Sequence, residues 1–260
     1  MKRTIILSLT LLVNGYWLLV NGQDYTRYVN PFIGTQMDES GALSGSTFPG
    51  ATMPQGMVQL SPETENYVTY DPCCGYDFDR DSIYGFTHTH LSGTGCTDLI
   101  DISLMPVSQA VEPAVLSKGN FGQNYTHAQE GAEPGYYWVQ LQQSGVKVEL
   151  SATVHAGIHR YTFPQGKPQT VILDLDRSTY RGDAYYSGRR DYYIIQSQLR
   201  QVDDHTVEGY RVITGWAKLR KVYFRAEFSR PFSQRLLMDG SRDAGKSDVV
   251  NGRALRTALS

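Results

Sequence analysis

The chain has 260 residues, with 24 Lys and Arg against 26 Asp and Glu, for a formal net charge of −2. A balance this close to neutral gives no electrostatic case for binding nucleic acid or an anionic membrane surface. An apolar fraction of 40% with 19% charged is that of a folded globule, and the unusual feature is 18 tyrosines against 9 phenylalanines. Tyrosine offers a flat apolar face with a polar tip, which suits both sheet surfaces and carbohydrate contacts.

Residues 1–22 read as a targeting segment. Lys2 and Arg3 form a basic start, residues 4–13 an apolar core, and Val20-Asn21-Gly22 supplies small residues near a cleavage point. Asn14 and Gly15 interrupt the apolar run, so it is too short for a spanning helix. The expectation is an exported protein, at the periplasm, the cell surface or outside the cell, with no integral membrane span after cleavage. An uncleaved anchor is the alternative. No cysteine near the cut supports a lipid anchor.

Residues 24–61 are rich in Gly, Pro and Ser, without helical period, and read as irregular connections around one or two short strands. Asp71-Pro72 marks a turn. Residues 75–106 then concentrate chemistry. They hold His88-Thr89-His90, a turn Ser92-Gly93-Thr94-Gly95-Cys96, and two carboxylates, Asp98 and Asp101. Residues 84–88 read as a strand, and alternation places His88 and His90 on one face. Gly93 and Gly95 permit unusual dihedrals or close approach of a ligand to the backbone. Ile100, Ile102 and Leu104 alternate with Asp101, Ser103 and Met105, which predicts the partner strand.

Three readings fit that pattern. Two imidazoles with aspartates nearby could ligate zinc, although the spacing matches no established zinc motif. The histidines could be hydrogen-bonded into the fold, with the glycines only shaping a turn. Dense donors and acceptors beside aromatic faces also suit recognition of a polyol such as a sugar. Three cysteines cannot all pair within one chain. A bridge from Cys73 or Cys74 to Cys96 would tie the ends of this region, and three reduced thiols fit equally well.

Residues 112–134 read as loop, with a sequon at Asn124-Tyr125-Thr126 that matters only in a host that glycosylates exported proteins. From Tyr136 onward the pattern is β. Residues 137–141 and 146–154 flank Gln143-Ser144-Gly145 as a hairpin, and residues 158–163 form another strand. Residues 170–175 are a near-continuous apolar run, hence a strand buried on both faces. Residues 192–199, 206–214 and 221–228 complete the series. No segment carries a helical stripe over three turns, so the expected fold is all-β, an antiparallel β-sandwich.

Long strings in this chain resemble the N-terminal domain of glycoside hydrolase family 92, a family of exo-acting α-mannosidases. They are residues 28–35 (YVNPFIGT), 48–62 (FPGATMPQGMVQLSP) and 85–96, followed by Pro134-Gly135-Tyr136-Tyr137, residues 148–153 and residues 223–232. The resemblance covers roughly residues 25–258, places the domain at residues 24–260 and implies a supersandwich of the galactose-mutarotase-like type. It implies a calcium-dependent, inverting enzyme acting on mannose-containing glycans such as N-glycans or mannans. The general acid, the general base and most Ca2+ ligands would be carried by a following helical domain, so the match assigns no catalytic and no metal-binding residue here. The chain is expected to lack the last strand of this domain as well as the helical domain that follows it. The positions matching the substrate-contacting motif are His88, His90, Ser92, Gly93, Thr94, Gly95 and Cys96, with Asp98 and Asp101 following. The leaving-group aromatic of some members has three possible counterparts, Tyr76, Phe78 and Tyr84. Expected partners are the mannose-containing glycan and the helical catalytic domain. The contrasting reading is a stand-alone carbohydrate-binding or decayed module without chemistry, and continuation of the reading frame into a helical domain separates the two.

Overall fold

The computed structural model describes residues 24–36, 45–64, 74–93, 98–177, 193–215, 217–245 and 247–260. The targeting segment, Cys73, Thr94, Gly95 and Cys96 lie outside the described residues. Residues 1–30 form one unit, described only as a single 3-10 turn, Thr26–Tyr28. Residues 31–260 form the other unit.

That second unit contains, among the described residues, strands β1 (Ala51–Thr52), β2 (Gln59–Glu63), β3 (Ser82–Ile83), β4 (Gly85–Thr87), β5 (Ser103–Val107), β6 (Gln123–Asn124), β7 (Glu130–Glu133), β8 (Tyr136–Gln140) and β9 (Lys147–Ala152). It continues with β10 (Gly157–Thr162), β11 (Thr170–Asp174), β12 (Ile194–Gln201), β13 (Thr206–Ile213), β14 (Arg220–Glu227), β15 (Arg235–Asp239), β16 (Arg242–Asp243), β17 (Val249–Gly252) and β18 (Leu255–Leu259). An eight-stranded sheet runs β1-β2-β4-β5-β11-β18-β15-β16. Two four-stranded sheets, β10-β9-β8-β7 and β14-β13-β12-β17, accompany it, and β3 pairs with β6. Every pairing is antiparallel.

The apolar run read at residues 170–175 is β11, flanked by β5 on one side and β18 on the other. All five residues of each of these three strands are buried, so the eight-stranded sheet is covered on both faces. Met105, Ile172 and Ala258 pack in a cluster with Val139, Val148 and Leu150 of the β7–β10 sheet. Leu104, Leu173 and Leu259 pack in a second cluster with Leu199, Val207 and Val250 of the other four-stranded sheet. The protein is an all-β stack of antiparallel sheets built as a sandwich.

Two local expectations change. Residues 112–134, read as loop, include a short helix α1 (Pro113–Lys118) as well as β6 and β7. Pro113 presets its first turn, and Gly119 at φ 65° closes it in the left-handed conformation. Six residues are too few to show a helical stripe, which is why the periodicity missed it. The partner strand expected from residue 100 begins only at Ser103. Before it, Leu99, Ile100 and Ile102 all have positive φ, at 69°, 55° and 58°. The alternation there is real in sequence but does not describe an extended backbone.

Ile172, 1% exposed between β5 and β18, sits where the sheet cannot collapse onto a void. Ile172→Ala is expected to cost about 2–5 kcal/mol, read as a lowered urea midpoint at unchanged m-value. A loss under about 1 kcal/mol, the range of a surface change, would place this strand outside the core.

Candidate functional site

The motif residues assemble where the end of β4, the start of β5 and the edge of β2 meet. His90 is buried, and its Nδ1 donates to the Gln59 carbonyl at 2.7 Å. Its Nε2 lies 2.6 Å from Glu63 Oε1 and 3.0 Å from Thr87 Oγ1. The Thr87 hydroxyl also donates to Glu63 Oε1 at 2.5 Å, which closes a His90–Glu63–Thr87 triangle. The Phe48 ring covers the imidazole at a centroid distance of 4.7 Å. Gly75, at φ 92°, lies against Glu63, where an added Cβ would come within 2.3 Å of the carboxylate. Two strings far apart in sequence, residues 48–62 and 85–96, therefore meet on one ring.

His88 points to different partners. Its Nδ1 donates to the Ile102 carbonyl at 2.6 Å, which leaves Nε2 as the acceptor of the neutral ring. His159 of β10 donates to it from its own Nε2 at 3.0 Å. His159 Nδ1 then accepts from the Tyr161 hydroxyl at 2.9 Å. The result is a one-way chain, Tyr161 to His159 to His88 to a backbone carbonyl, crossing between two sheets. Burial drives the His88 imidazole down to about 4, with the nearby His90 acting in the same direction. Burial, with His88 beside it, also holds His159 well below its ordinary value.

The two aspartates are held by arginines. Arg211 of β13 is fully buried, and each of its three guanidinium nitrogens finds an acceptor. Nε and Nη2 reach Asp101 Oδ1 at 2.7 and 2.6 Å, and Nη2 also reaches the Ile100 carbonyl at 3.2 Å. Nη1 reaches the Leu175 carbonyl at 3.2 Å and the Arg177 carbonyl. Arg220 of β14 bonds Asp98 Oδ1 at 2.7 Å and Asp101 Oδ1 at 3.3 Å. Thr89 donates to Asp101 Oδ2 at 2.8 Å and accepts the Asp101 amide at 2.9 Å. Burial alone would raise the Asp101 carboxyl, but the guanidinium groups of Arg211 and Arg220 and the Thr89 hydroxyl hold it below its ordinary value.

This network anchors the positive-φ segment residue by residue. The Leu99 amide bonds Asp98 Oδ1, the Ile100 amide bonds the Thr89 carbonyl, and the Ile102 carbonyl takes the His88 proton. Left-handed backbone at β-branched residues costs roughly 1–3 kcal/mol apiece and persists only where the surroundings impose it. Ser92 and Gly93 are exposed, and the Gly93 amide is tied to the Ser46 carbonyl at 2.8 Å. The ends of the loop at residues 93 and 98 are thus both fixed. Glu63, Thr87, His159, Arg211 and Arg220 were not singled out by the sequence reading. Arg211 carried a signal, a cation on the inward phase of a strand that otherwise buries Val207 and Ile213.

No donor set among the described residues fits the calcium that the resemblance implies. Asp203, Asp204 and His205 are the one cluster with ligand-like spacing, on the turn between β12 and β13. It offers two carboxylates and an imidazole already bonded to Asp204 at 2.7 Å, whereas Ca2+ takes six to eight oxygens. Cys74 is buried, its thiol directed to the Thr47 carbonyl at 2.9 Å.

Residues 28–260 match the family model described as the glycosyl hydrolase family 92 N-terminal domain. An α-mannosidase of that family from Bacteroides thetaiotaomicron is similar at 30% identity and a TM-score of 0.78, over 92% of this chain and 31% of that one. It has also been solved with mannoimidazole. An inverting mannosidase from the same organism has the same fold at 23% identity and a TM-score of 0.70, over 92% of this chain and 30% of that one. An uncharacterized secreted glycosidase of Arthroderma benhamiae is 28% identical over 180 residues, 65% of this chain and 22% of that protein. The chain thus spans less than a third of the length of these relatives.

The His88–His159 pair generates a pH dependence. Both rings are neutral in the fold and bind protons more readily once unfolded, so the unfolded chain holds more protons below the ordinary value of 6.5. Stability is then complete above about pH 6.5 and falls with acid toward pH 4, by up to about 1.4 kcal/mol per pH unit for each ring. Urea unfolding across that window should show this slope, and His159→Gln should flatten it. An identical slope in the variant would remove the pair as its cause.

Proposed function

We propose, on the premise that this chain belongs to glycosyl hydrolase family 92 through that family's N-terminal domain, that it is the substrate-contacting part of an exported, calcium-dependent, inverting α-mannosidase. The substrate class is mannose-containing N-glycans or mannans. One observation carries the reading. The strings that resemble the family converge in space, with Phe48, Gln59 and His90 in contact and the loop that follows fixed at Gly93 and Asp98. A rigid rim of this kind suits sugar hydroxyls, which reward donors and acceptors that need no ordering on binding.

Within that rim, sugar contact falls to the exposed Ser92 and Gly93 and to the adjoining Thr94, Gly95 and Cys96. His88, His90, Asp98 and Asp101 position it, because each already spends its hydrogen-bonding groups inside the fold. Glycoside hydrolysis by inversion needs one carboxyl that delivers a proton and another that activates water. Asp98 and Asp101 are poor candidates for the pair. The guanidinium groups against Asp101 favour its charged form and oppose the proton an acid would have to carry, and Asp98 is tied up by Arg220. The acid, the base and the calcium ligands are therefore assigned to the portion of the relatives that this chain does not span.

The test has two arms. The purified chain should not hydrolyse an aryl α-mannoside, with or without calcium. Fused to the remaining portion of the Bacteroides thetaiotaomicron α-mannosidase it should do so, and Ser92→Ala in the fusion should lower kcat/KM by about tenfold, the loss of one transition-state hydrogen bond. Turnover by the lone chain that disappears in Asp98→Asn would contradict the assignment.

A further inference from the structure

The sheet β14-β13-β12-β17 turns one face to the core and the other to solvent. On the core side, one register row contains Phe224, Gly209, Leu199 and Val250. Residues directly opposite one another in an antiparallel pair share a face, so the neighbouring rows can be read across all four strands. The first is Tyr223, Tyr210, Gln198 and Asn251. The next begins Arg225, Glu208, Arg200.

The chemistry of these rows is unusual for plain solvated surface. Tyr223 is 70% exposed, and its ring lies 5.6 Å from that of Tyr210 with the two planes tilted by 48°, so two aromatic rings stand side by side as an angled shelf. Gln198 Nε2 donates to Asn251 Oδ1 at 2.9 Å, which orients the amide pair and leaves the Gln198 carbonyl and the Asn251 amide nitrogen available. Glu208 is bonded by Arg200 at 2.7 Å and by Arg225 at 3.4 Å, so the guanidinium groups stand fixed beside the shelf with donors to spare. Adjacent strands lie about 4.8 Å apart, so the first row is a straight track roughly 14 Å long.

We infer that this outer face is a second glycan-binding site, a platform for a neutral polysaccharide chain separate from the loop at residues 92–96. Sugar rings present apolar C–H faces to aromatics and hydroxyls to amides and guanidinium groups, and here two tyrosines and an amide pair follow one another along one row, with guanidinium groups in the next. A protein partner fits poorly. Protein interfaces centre on a desolvated apolar core depleted in charge, and covering this face would bury the Arg200–Glu208–Arg225 ion group, at a desolvation cost its pairing need not repay. A polysaccharide leaves those charges wet. The inference takes only its choice of probe from the mannosidase reading.

The test is gel electrophoresis of the chain through soluble α-mannan. Mannan should retard the wild-type chain, and Tyr223→Ala should weaken the retardation about fivefold, the effect of one stacked aromatic. An unchanged urea midpoint, expected for so exposed a side chain, separates this from unfolding. In the fusion, Tyr223→Ala should leave turnover of the aryl α-mannoside unaltered while Ser92→Ala lowers it, so failure here and failure of the loop reading give different results. No retardation by mannan, or retardation that Tyr223→Ala leaves unaltered, overturns the inference. So does a concentration-dependent dimer in sedimentation that Tyr223→Ala abolishes, since the face would then belong to a second copy of the chain.

Discussion

The Arg211 guanidinium is the constraint on which the candidate site depends. A buried cation is tolerable only when its charge is paired and its protons are all used. Here one carboxylate and three backbone carbonyls engage all three of its nitrogens, and those carbonyls come from two separate stretches of chain. Satisfying one side chain therefore fixes the end of β11, the segment before β5 and the inner face of β13 relative to one another. Arg220 adds a second tie from β14 to Asp98. Lysine could not replace either residue, because a single ammonium cannot span these acceptors.

The same network explains how three residues with left-handed backbone survive in a row otherwise suited to a strand. Leu99, Ile100 and Ile102 each cost strain, and each has a main-chain group held by a partner that would be left unsatisfied if the segment relaxed. On the other side of the site the constraint is imidazole chemistry. His90 locks β4 to β2, and His88 links the segment to β10 through His159. The exposed turn at Ser92 and Gly93 thus emerges from a frame with little freedom, which is what preorganised binding of a weakly interacting polyol requires.

Much of the fold was legible because β-structure advertises itself by alternation and turns. The hairpin at Gln143-Ser144-Gly145 and the buried run from Thr170 follow from pattern alone, and β10, β13 and β14 lie within a residue or so of where alternation puts them. The site was legible in its residues but not in their roles. Alternation placed His88 and His90 on one face, yet local backbone sends them to different partners, one across to β10 and the other back to β2. The partners themselves are long-range. Arg211 lies 110 residues from Asp101, and His159 lies 71 from His88. Single-sequence spacing carries no information at that separation. The start of β5 was missed for a related reason, since positive φ at Ile100 and Ile102 is imposed by those distant groups rather than by local preference.

The claim that the Arg211–Asp101 pair organises the site is tested most directly by a double-mutant cycle, Arg211→Met and Asp101→Asn, followed by urea unfolding. Each single change leaves the other group buried without its partner and should cost about 3–5 kcal/mol. The double variant should lose much less than the sum, with a coupling energy of about 1–3 kcal/mol. Single losses below about 1 kcal/mol, or strict additivity, would contradict the account and leave the two side chains as independent tenants of the same interior.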